Sequence, residues 1–249
     1  MNEALIAEPT TFGGHGGDVI DAYLARPIGE GPFPAVVVVH HMPGWDRETR
    51  EIARRFAANG YLAITHHLYS REGTGTNYQD AAAAARARGG VSDAQFLGDT
   101  AGAVDYLRSL PSSNGKVGVI GYCSGGRQTY VAACRLDIDA AVDCYGGSVV
   151  ASADQLNDLR PVAPIDMTPD MGCPILCLFG EQDANPSPEH RVAIEAALQA
   201  AGKKYEIASY PDAGHAFFAV DRPASRPEAA NDGWARIFDF YGRYLQGAA

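Results

Sequence analysis

The sequence lacks several features that would place it in common protein classes. It has no apolar run of about 18 residues, the length from which a membrane-spanning helix is inferred. The N-terminus lacks the charged start and the long apolar stretch of a signal peptide. Lysines and arginines form no cluster, and 20 basic against 30 acidic residues give a net charge of −10. We therefore expect a cytoplasmic protein with neither a membrane nor a nucleic acid as partner.

Cysteine is scarce and present in an odd number. The five cysteines are scattered at 123, 134, 144, 173 and 177, which is not the pattern of a disulfide framework, so we expect reduced thiols. The sequence also lacks internal repeats, low-complexity tails and an inserted lid segment. A chain of 249 residues suits one domain over 1–249, with an ordered core from about 18 to 246.

What the sequence does contain is an alternation of strand-length and helix-length segments. Apolar strands are predicted at 34–39, 61–65, 116–120, 140–145, 174–179 and 204–210, and an antiparallel edge strand at 18–26. Helices are predicted at 47–58, 81–87, 93–109, 127–135, 187–201 and 228–246. Strand, helix and strand with short joints imply parallel pairing, so we predict an α/β class protein: a doubly wound, mostly parallel sheet with helices on both faces. Such sheets bind ligands at the carboxyl ends of their strands.

The segment from Gly121 to Gly126 carries the strongest chemical signal. A β-branched strand precedes Gly121, a helix can follow Gly125, and Cys123 lies midway between these glycines. Strand, Gly-x-nucleophile-x-Gly and helix form the nucleophile elbow of α/β hydrolases, a turn too tight for a flanking Cβ. The frame selects Cys123, since Ser124 would need a glycine where Tyr122 stands. The alternative is a glycine-containing turn with a buried, inert cysteine.

Two further residues complete a possible catalytic triad. Asp183 follows the next-to-last strand and His215 follows the last strand, in the chain order nucleophile, acid, histidine of this fold. His215 would take the proton of Cys123 and later return one to the leaving group, while Asp183 orients the imidazole ring. Glu181 is the alternative acid.

An oxyanion intermediate also needs backbone N–H donors. The residue after the nucleophile supplies one, which is Ser124 here, and the loop after the first parallel strand supplies another, for which we choose Met42.

These motifs resemble the dienelactone hydrolase (carboxymethylenebutenolidase) family. The longest matching stretch is 113–126, and shorter pieces are 47–50, 59–61, 68–69, 145–146, 180–183 and 214–217, so that the match extends from about 34 to 245. The resemblance implies an α/β-hydrolase fold and hydrolysis of small lactones or esters. It also implies a thioester acyl-enzyme and no cofactor.

The sequence departs from the family pattern at residues that would contact the substrate. The family has a glutamate after the first parallel strand, and His41 takes that place here. The family also holds the substrate carboxylate with arginines, one of them shortly after the catalytic histidine. Here no arginine follows until Arg222, although Arg86 or Arg88 offers a cation. A more apolar ester or lactone is therefore expected.

Aromatic residues and histidines near the strand ends each have two possible roles. Trp45, Tyr145, Phe217 and Phe218 are candidate pocket walls, or plain core residues. The pairs His40/His41 and His66/His67 end neighbouring strands, where a zinc or copper site is conceivable. No carboxylate or cysteine stands beside them at ligand spacing, so we expect no metal, but hydrogen bonding in the pocket. A protonated His41 would favour the Cys123 thiolate.

The sequence thus predicts a cysteine-dependent hydrolase that acts on a small-molecule ester or lactone, as a monomer or small homo-oligomer. A thioesterase or hydrolase of a larger acyl conjugate on the same triad is one alternative. A non-catalytic, ligand-binding member of the fold is another.

Overall fold

In the computed structural model, which describes residues 4–73 and 77–246, one sheet of eight strands forms the centre of the protein. The strands are β1 (Leu5–Gly13), β2 (Val19–Pro27), β3 (Phe33–Val39), β4 (Leu62–His66), β5 (Ser113–Tyr122), β6 (Ala140–Cys144), β7 (Ile175–Gly180) and β8 (Tyr205–Tyr210). Their spatial order is β1-β2-β4-β3-β5-β6-β7-β8. The pairs β1–β2 and β2–β4 are antiparallel, and all others are parallel.

Six α-helices connect or follow the strands in the described part of the chain. They are α1 (Arg47–Ala58), α2 (Tyr78–Ala87), α3 (Asp93–Ser109), α4 (Ser124–Arg135), α5 (Pro188–Ala200) and α6 (Pro227–Leu245). Within these residues, no helix combines the length and the apolarity that a bilayer crossing requires.

The alternating side chains of β3 explain why its sequence is apolar throughout. Val36 and Val38 belong to a core that contains residues of α1 and α6, whereas Val37 and Val39 belong to a core with residues of α2, α3, α4 and α5. All four valines are fully buried, because successive side chains of a strand point to opposite faces and helices cover both. The predicted doubly wound α/β-hydrolase fold is confirmed.

The structure corrects the prediction at the N-terminal edge. β1 pairs with β2 along its whole length, so the segment predicted as the edge strand is an inner strand. The ordered core therefore begins at Leu5 rather than near 18. The reason is that most side chains of β1 are exposed or half-buried, which leaves little apolar alternation in its sequence.

The parallel strands bring distant parts of the chain to one edge of the sheet. The carboxyl ends of β3, β5, β6, β7 and β8 all lie at this edge. His40, Cys123, Tyr145, Glu181 and His215 follow these ends within a few residues. The edge is thus the place where the predicted site residues meet.

Candidate active site

The turn that carries Cys123 has the geometry predicted from its glycines. Cys123 lies between β5 and α4 with φ 57° and ψ −120°, a conformation that few non-glycine residues adopt. A Cβ on Gly121 would collide with the carbonyl oxygen of Gly125, and one on Gly125 would lie 2.5 Å from the carbonyl oxygen of Val39. Glycine is therefore required on both sides, and the turn presents the thiol at the start of α4.

His215 and Asp183 are brought together by two linked loops. The N–H of Gln182 donates to the carbonyl of Ala213 at 2.9 Å, which ties the loop after β7 to the loop after β8. Nδ1 of His215 donates to Oδ2 of Asp183 at 2.7 Å, and Oδ1 of Asp183 accepts the N–H of Asn185 at 2.9 Å. Asp183 is buried, whereas the alternative acid Glu181 is exposed to solvent.

The surroundings of Cys123 favour its charged form. Burial raises the pKa of the thiol, but the hydrogen bond and the charge of His215 lower it, and the net pKa lies below its usual value. The backbone N–H groups of Ser124 and Met42 also bond to the sulfur and contribute to this lowering. Burial lowers the pKa of His215, but its bonds to Asp183 and Cys123 outweigh this and raise it to about 10. A thiol with a lowered pKa therefore lies beside a histidine that carries a second proton at neutral pH.

The other four cysteines have a different environment. Each of them is buried, whereas Cys123 is partly exposed. Burial raises the pKa of Cys134 and of Cys173 to about 12, and raises the pKa of Cys144 and Cys177 well above the ordinary value. Cys123 is therefore the only cysteine whose thiol has a lowered pKa.

A cleft of about 260 Å³ opens over the Cys123 sulfur. His41 and Tyr145 line it, and the ring of Tyr145 packs edge-on against His215 at 5.2 Å. Glu48 and Arg222 also line it. The cleft is thus small, and it carries charged groups of both signs.

Four of the predicted pocket residues do not line this cleft. Trp45 does not line the cleft: its ring stacks on His67 at 5.1 Å and its Nε1 donates to the Thr65 carbonyl. Phe217 is fully buried beneath the cleft, packed against Tyr145, so it is a core residue.

The two arginines that were predicted to offer a cation to the substrate also lie outside the cleft. Arg86 and Arg88 are exposed near the end of α2 and do not line the cleft. Arg88 forms an ion pair with Glu72. The adjacent Phe218 contributes to a neighbouring cavity of about 230 Å³ that shares Glu48 and Ile52 with the cleft.

Two charged residues of the cleft were not among the predicted pocket residues. Glu48 lies on α1 and Arg222 lies seven positions after His215, with Nη2 at 3.9 Å from Oδ2 of Asp46. Burial raises the pKa of the Glu48 carboxyl. A signal for Glu48 is present in the segment 47–50 that carries the family resemblance, and Arg222 is the first arginine after His215.

Three of the four paired histidines, His40, His66 and His67, are buried. Nδ1 of His40 donates to the His41 carbonyl at 2.7 Å, and its Nε2 accepts the Leu68 N–H at 3.2 Å, so both ring nitrogens are occupied. Nε2 of His66 lies 3.3 Å from the Thr100 hydroxyl. Burial lowers the pKa of His66 and of His67 to about 4. These buried rings are neutral.

His41 has the carboxylate neighbours that the sequence reasoning did not find. Its Nε2 bonds to Oδ2 of Asp46 at 2.6 Å, and Asp46, Glu48 and His41 offer ligand atoms within 4.8 Å of one another. Asp46 is already satisfied, since its Oδ1 also accepts the N–H and hydroxyl of Thr49. A hydrogen bond accounts for this contact, and both the absence of a cofactor and the tuning of Cys123 by His41 stay predictions.

Comparison with known proteins adds independent information. The model of the dienelactone hydrolase family matches residues 20–245. The chain belongs to this family. A protein of Escherichia coli (strain K12) named "Putative carboxymethylenebutenolidase" is 38% identical over 250 residues, which cover 98% of this chain and 89% of the relative.

Two further relatives are similar over most of their length. The crystal structure of "Putative Dienelactone Hydrolase" from Klebsiella pneumoniae has a TM-score of 0.86 and 33% identity, and covers 97% of this chain and 100% of that one. A Bradyrhizobium protein named "Probable 2-oxo-3-(5-oxofuran-2-ylidene)propanoate lactonase" is 30% identical over 91% of this chain and 90% of its own length. Family membership makes this dienelactone hydrolase-like chain a carboxylic ester hydrolase.

Proposed function

We propose that the chain hydrolyses small lactones or esters through a thioester on Cys123. The observation that carries this proposal is the Cys123–His215–Asp183 arrangement, in which a partly exposed thiol with a lowered pKa faces a histidine bonded to a buried carboxylate. A non-catalytic member of the fold would have no need for a strained turn that presents such a thiol.

The reaction would proceed in two stages. The Cys123 thiolate attacks the carbonyl carbon, and the N–H groups of Ser124 and Met42 stabilise the oxyanion that forms. As the bond to the leaving oxygen breaks, the His215 imidazolium donates its proton to that oxygen and a thioester remains. Neutral His215 then takes a proton from water, whose oxygen attacks the thioester. Collapse of the second oxyanion releases the acid and restores the thiolate.

We expect a burst of p-nitrophenol when the protein is mixed with p-nitrophenyl acetate. The burst amplitude should be stoichiometric with the enzyme, because a thioester forms before slow hydrolysis releases it. Mass spectrometry of the quenched reaction should place an acetyl group on the peptide that contains Cys123. The proposal fails if turnover occurs with the acetyl group on another residue, or if there is neither turnover nor a burst.

The charge of the cleft modifies the substrate preference inferred from the sequence. Arg222 lines the cleft, and its guanidinium has no partner closer than Asp46 at 3.9 Å among the described residues. A cation in this position favours a substrate with an anionic group near the reacting carbonyl. The Bradyrhizobium relative is named for such a substrate, a lactone that carries a propanoate. We therefore include carboxylate-bearing lactones in the proposed substrate class.

An Arg222→Leu variant should separate charged from neutral substrates. Loss of a charge-assisted hydrogen bond is expected to lower kcat/KM for dienelactone by about 10- to 100-fold. The decrease for p-nitrophenyl acetate should be at least tenfold smaller. An Arg236→Leu variant removes an exposed arginine that is paired with Asp232 outside the cleft, and serves as the charge-matched control. Equal losses for both substrates would contradict a carboxylate contact at Arg222.

A further inference from the structure

The loop that follows β3 contains a peptide group with an unusually well-defined orientation. The carbonyl of His41 and the N–H of Met42 belong to the same peptide, and in a trans peptide these two groups point in opposite directions. The His41 carbonyl accepts Nδ1–H of His40 at 2.7 Å and the N–H of Gly44 at 3.0 Å. The Met42 N–H lies close enough to the sulfur of Cys123 to help lower the pKa of the thiol.

His40 is chemically suited to hold this peptide. Its ring is almost completely buried, with 1% of its surface exposed, and burial lowers its pKa to about 3, so it is neutral. A neutral imidazole has one donor and one acceptor nitrogen. The donor is used by the His41 carbonyl, and the acceptor is used by the N–H of Leu68 on the loop after β4. The ring therefore connects two loops, and its edge-on contact with Tyr69 at 4.9 Å limits its rotation.

We propose that His40 is a positioning residue that keeps the His41–Met42 peptide turned with its N–H toward the sulfur of Cys123. If this peptide flipped, a carbonyl oxygen would face the oxyanion in place of a donor. His40 would thus keep one of the two oxyanion-hole donors, the Met42 N–H, in place. Its own side chain would not bond to the reacting atoms. The inference rests on the proposed function, because the oxyanion arises in that reaction.

Asparagine and glutamine can each preserve one of the two bonds of His40. The side-chain N–H of Asn lies close to the place of Nδ1, so His40→Asn retains a donor for the His41 carbonyl. The side-chain oxygen of Gln reaches the place of Nε2, so His40→Gln retains an acceptor for the Leu68 N–H but offers the His41 carbonyl nothing. The two variants therefore distinguish the effect of the bond that orients the His41–Met42 peptide from the effect of the bond to the Leu68 N–H.

We expect the two variants to differ in kcat for p-nitrophenyl acetate, with little change in KM. His40→Gln should lower kcat by about 10²–10³-fold, the usual effect of losing one oxyanion-hole donor. His40→Asn should stay within about tenfold of the wild type, since the donor to the His41 carbonyl is retained. An aldehyde that adds to Cys123 forms a similar oxyanion, so its inhibition constant should rise in parallel with the loss of kcat.

Thermal unfolding and a second histidine provide the controls. His66 is equally buried, bonds to Thr100 and does not line the cleft. His66→Asn and His66→Gln should lower Tm without a difference in kcat between them. Equal kcat losses for His40→Asn and His40→Gln, or losses that follow Tm alone, would overturn the inference. An inactive wild-type protein would instead refute the proposed function, so the two failures are distinguishable.

Discussion

Replacement of Cys123 by alanine should abolish the hydrolysis of p-nitrophenyl acetate. We expect kcat to fall by roughly 10⁴-fold or more, as when the nucleophile of a triad is removed from a hydrolase. Cys123→Ser should retain more activity than the alanine variant, but remain far below the wild type. A serine hydroxyl is far less acidic than a thiol, whereas His215 lowers the pKa of the Cys123 thiol further.

A second cysteine on the same helix provides the control for these variants. Cys134 is buried on α4, and burial raises the pKa of its thiol to about 12. Cys134→Ala should therefore leave kcat unchanged, although it removes buried volume and lowers Tm slightly. If Cys123→Ala kept kcat within tenfold of the wild type, the thiol would not be the nucleophile.

The local pattern around Cys123 was sufficient to predict its geometry. The collisions that a Cβ would cause at Gly121 and Gly125 involve backbone atoms of the same turn and of the end of β3. The contact of Gly121 with Gly125 lies within the turn itself, and the contact of Gly125 with Val39 follows from the parallel pairing of β3 with β5. The pairing of Asp183 with His215 was predictable for a similar reason, since adjacent parallel strands place their following loops side by side.

The cleft walls could not be predicted in the same way. Trp45 and Glu48 are close in sequence, yet only Glu48 lines the cleft, because Trp45 turns away to stack on His67. That choice depends on the path of the loop after β3, which is held by two tertiary hydrogen bonds, from the Leu68 N–H to His40 and from the Tyr69 hydroxyl to the Met42 carbonyl. Arg222 likewise reaches the cleft only because the chain after His215 folds back across it. The spacing of residues in the sequence does not show where the chain folds back over a site.

The N-terminal strand illustrates a second limit. β1 lies at the edge of the sheet, where one neighbouring strand and backbone hydrogen bonds suffice to hold it. Its side chains, apart from Phe12, are exposed or half-buried. Apolar periodicity reports burial, so a strand that buries little leaves little trace in the sequence.

Replacement of His215 by asparagine should affect both catalysis and the ionisation of Cys123. His215 has a pKa of about 10 in this site, so the imidazolium is present at neutral pH and is lost only as the pH rises through that value. The amide side chain of the His215→Asn variant would carry no charge and could not transfer a proton. Loss of general acid–base catalysis lowers kcat by about 10²–10⁴-fold.

The rate of Cys123 alkylation by iodoacetamide, measured as a function of pH, tests the electrostatic part of this prediction separately. In the wild type, the pH at which the alkylation rate is half-maximal should lie below the pKa of an ordinary thiol, about 8.5, because His215 lowers the pKa of Cys123. In His215→Asn the burial of the sulfur remains while the cation is gone, so the midpoint should move upward. Asp183→Asn provides a matched comparison that keeps the ring but removes its carboxylate, and its midpoint should lie between the other two. An unchanged midpoint in His215→Asn would mean that no thiolate–imidazolium pair exists, even if kcat fell.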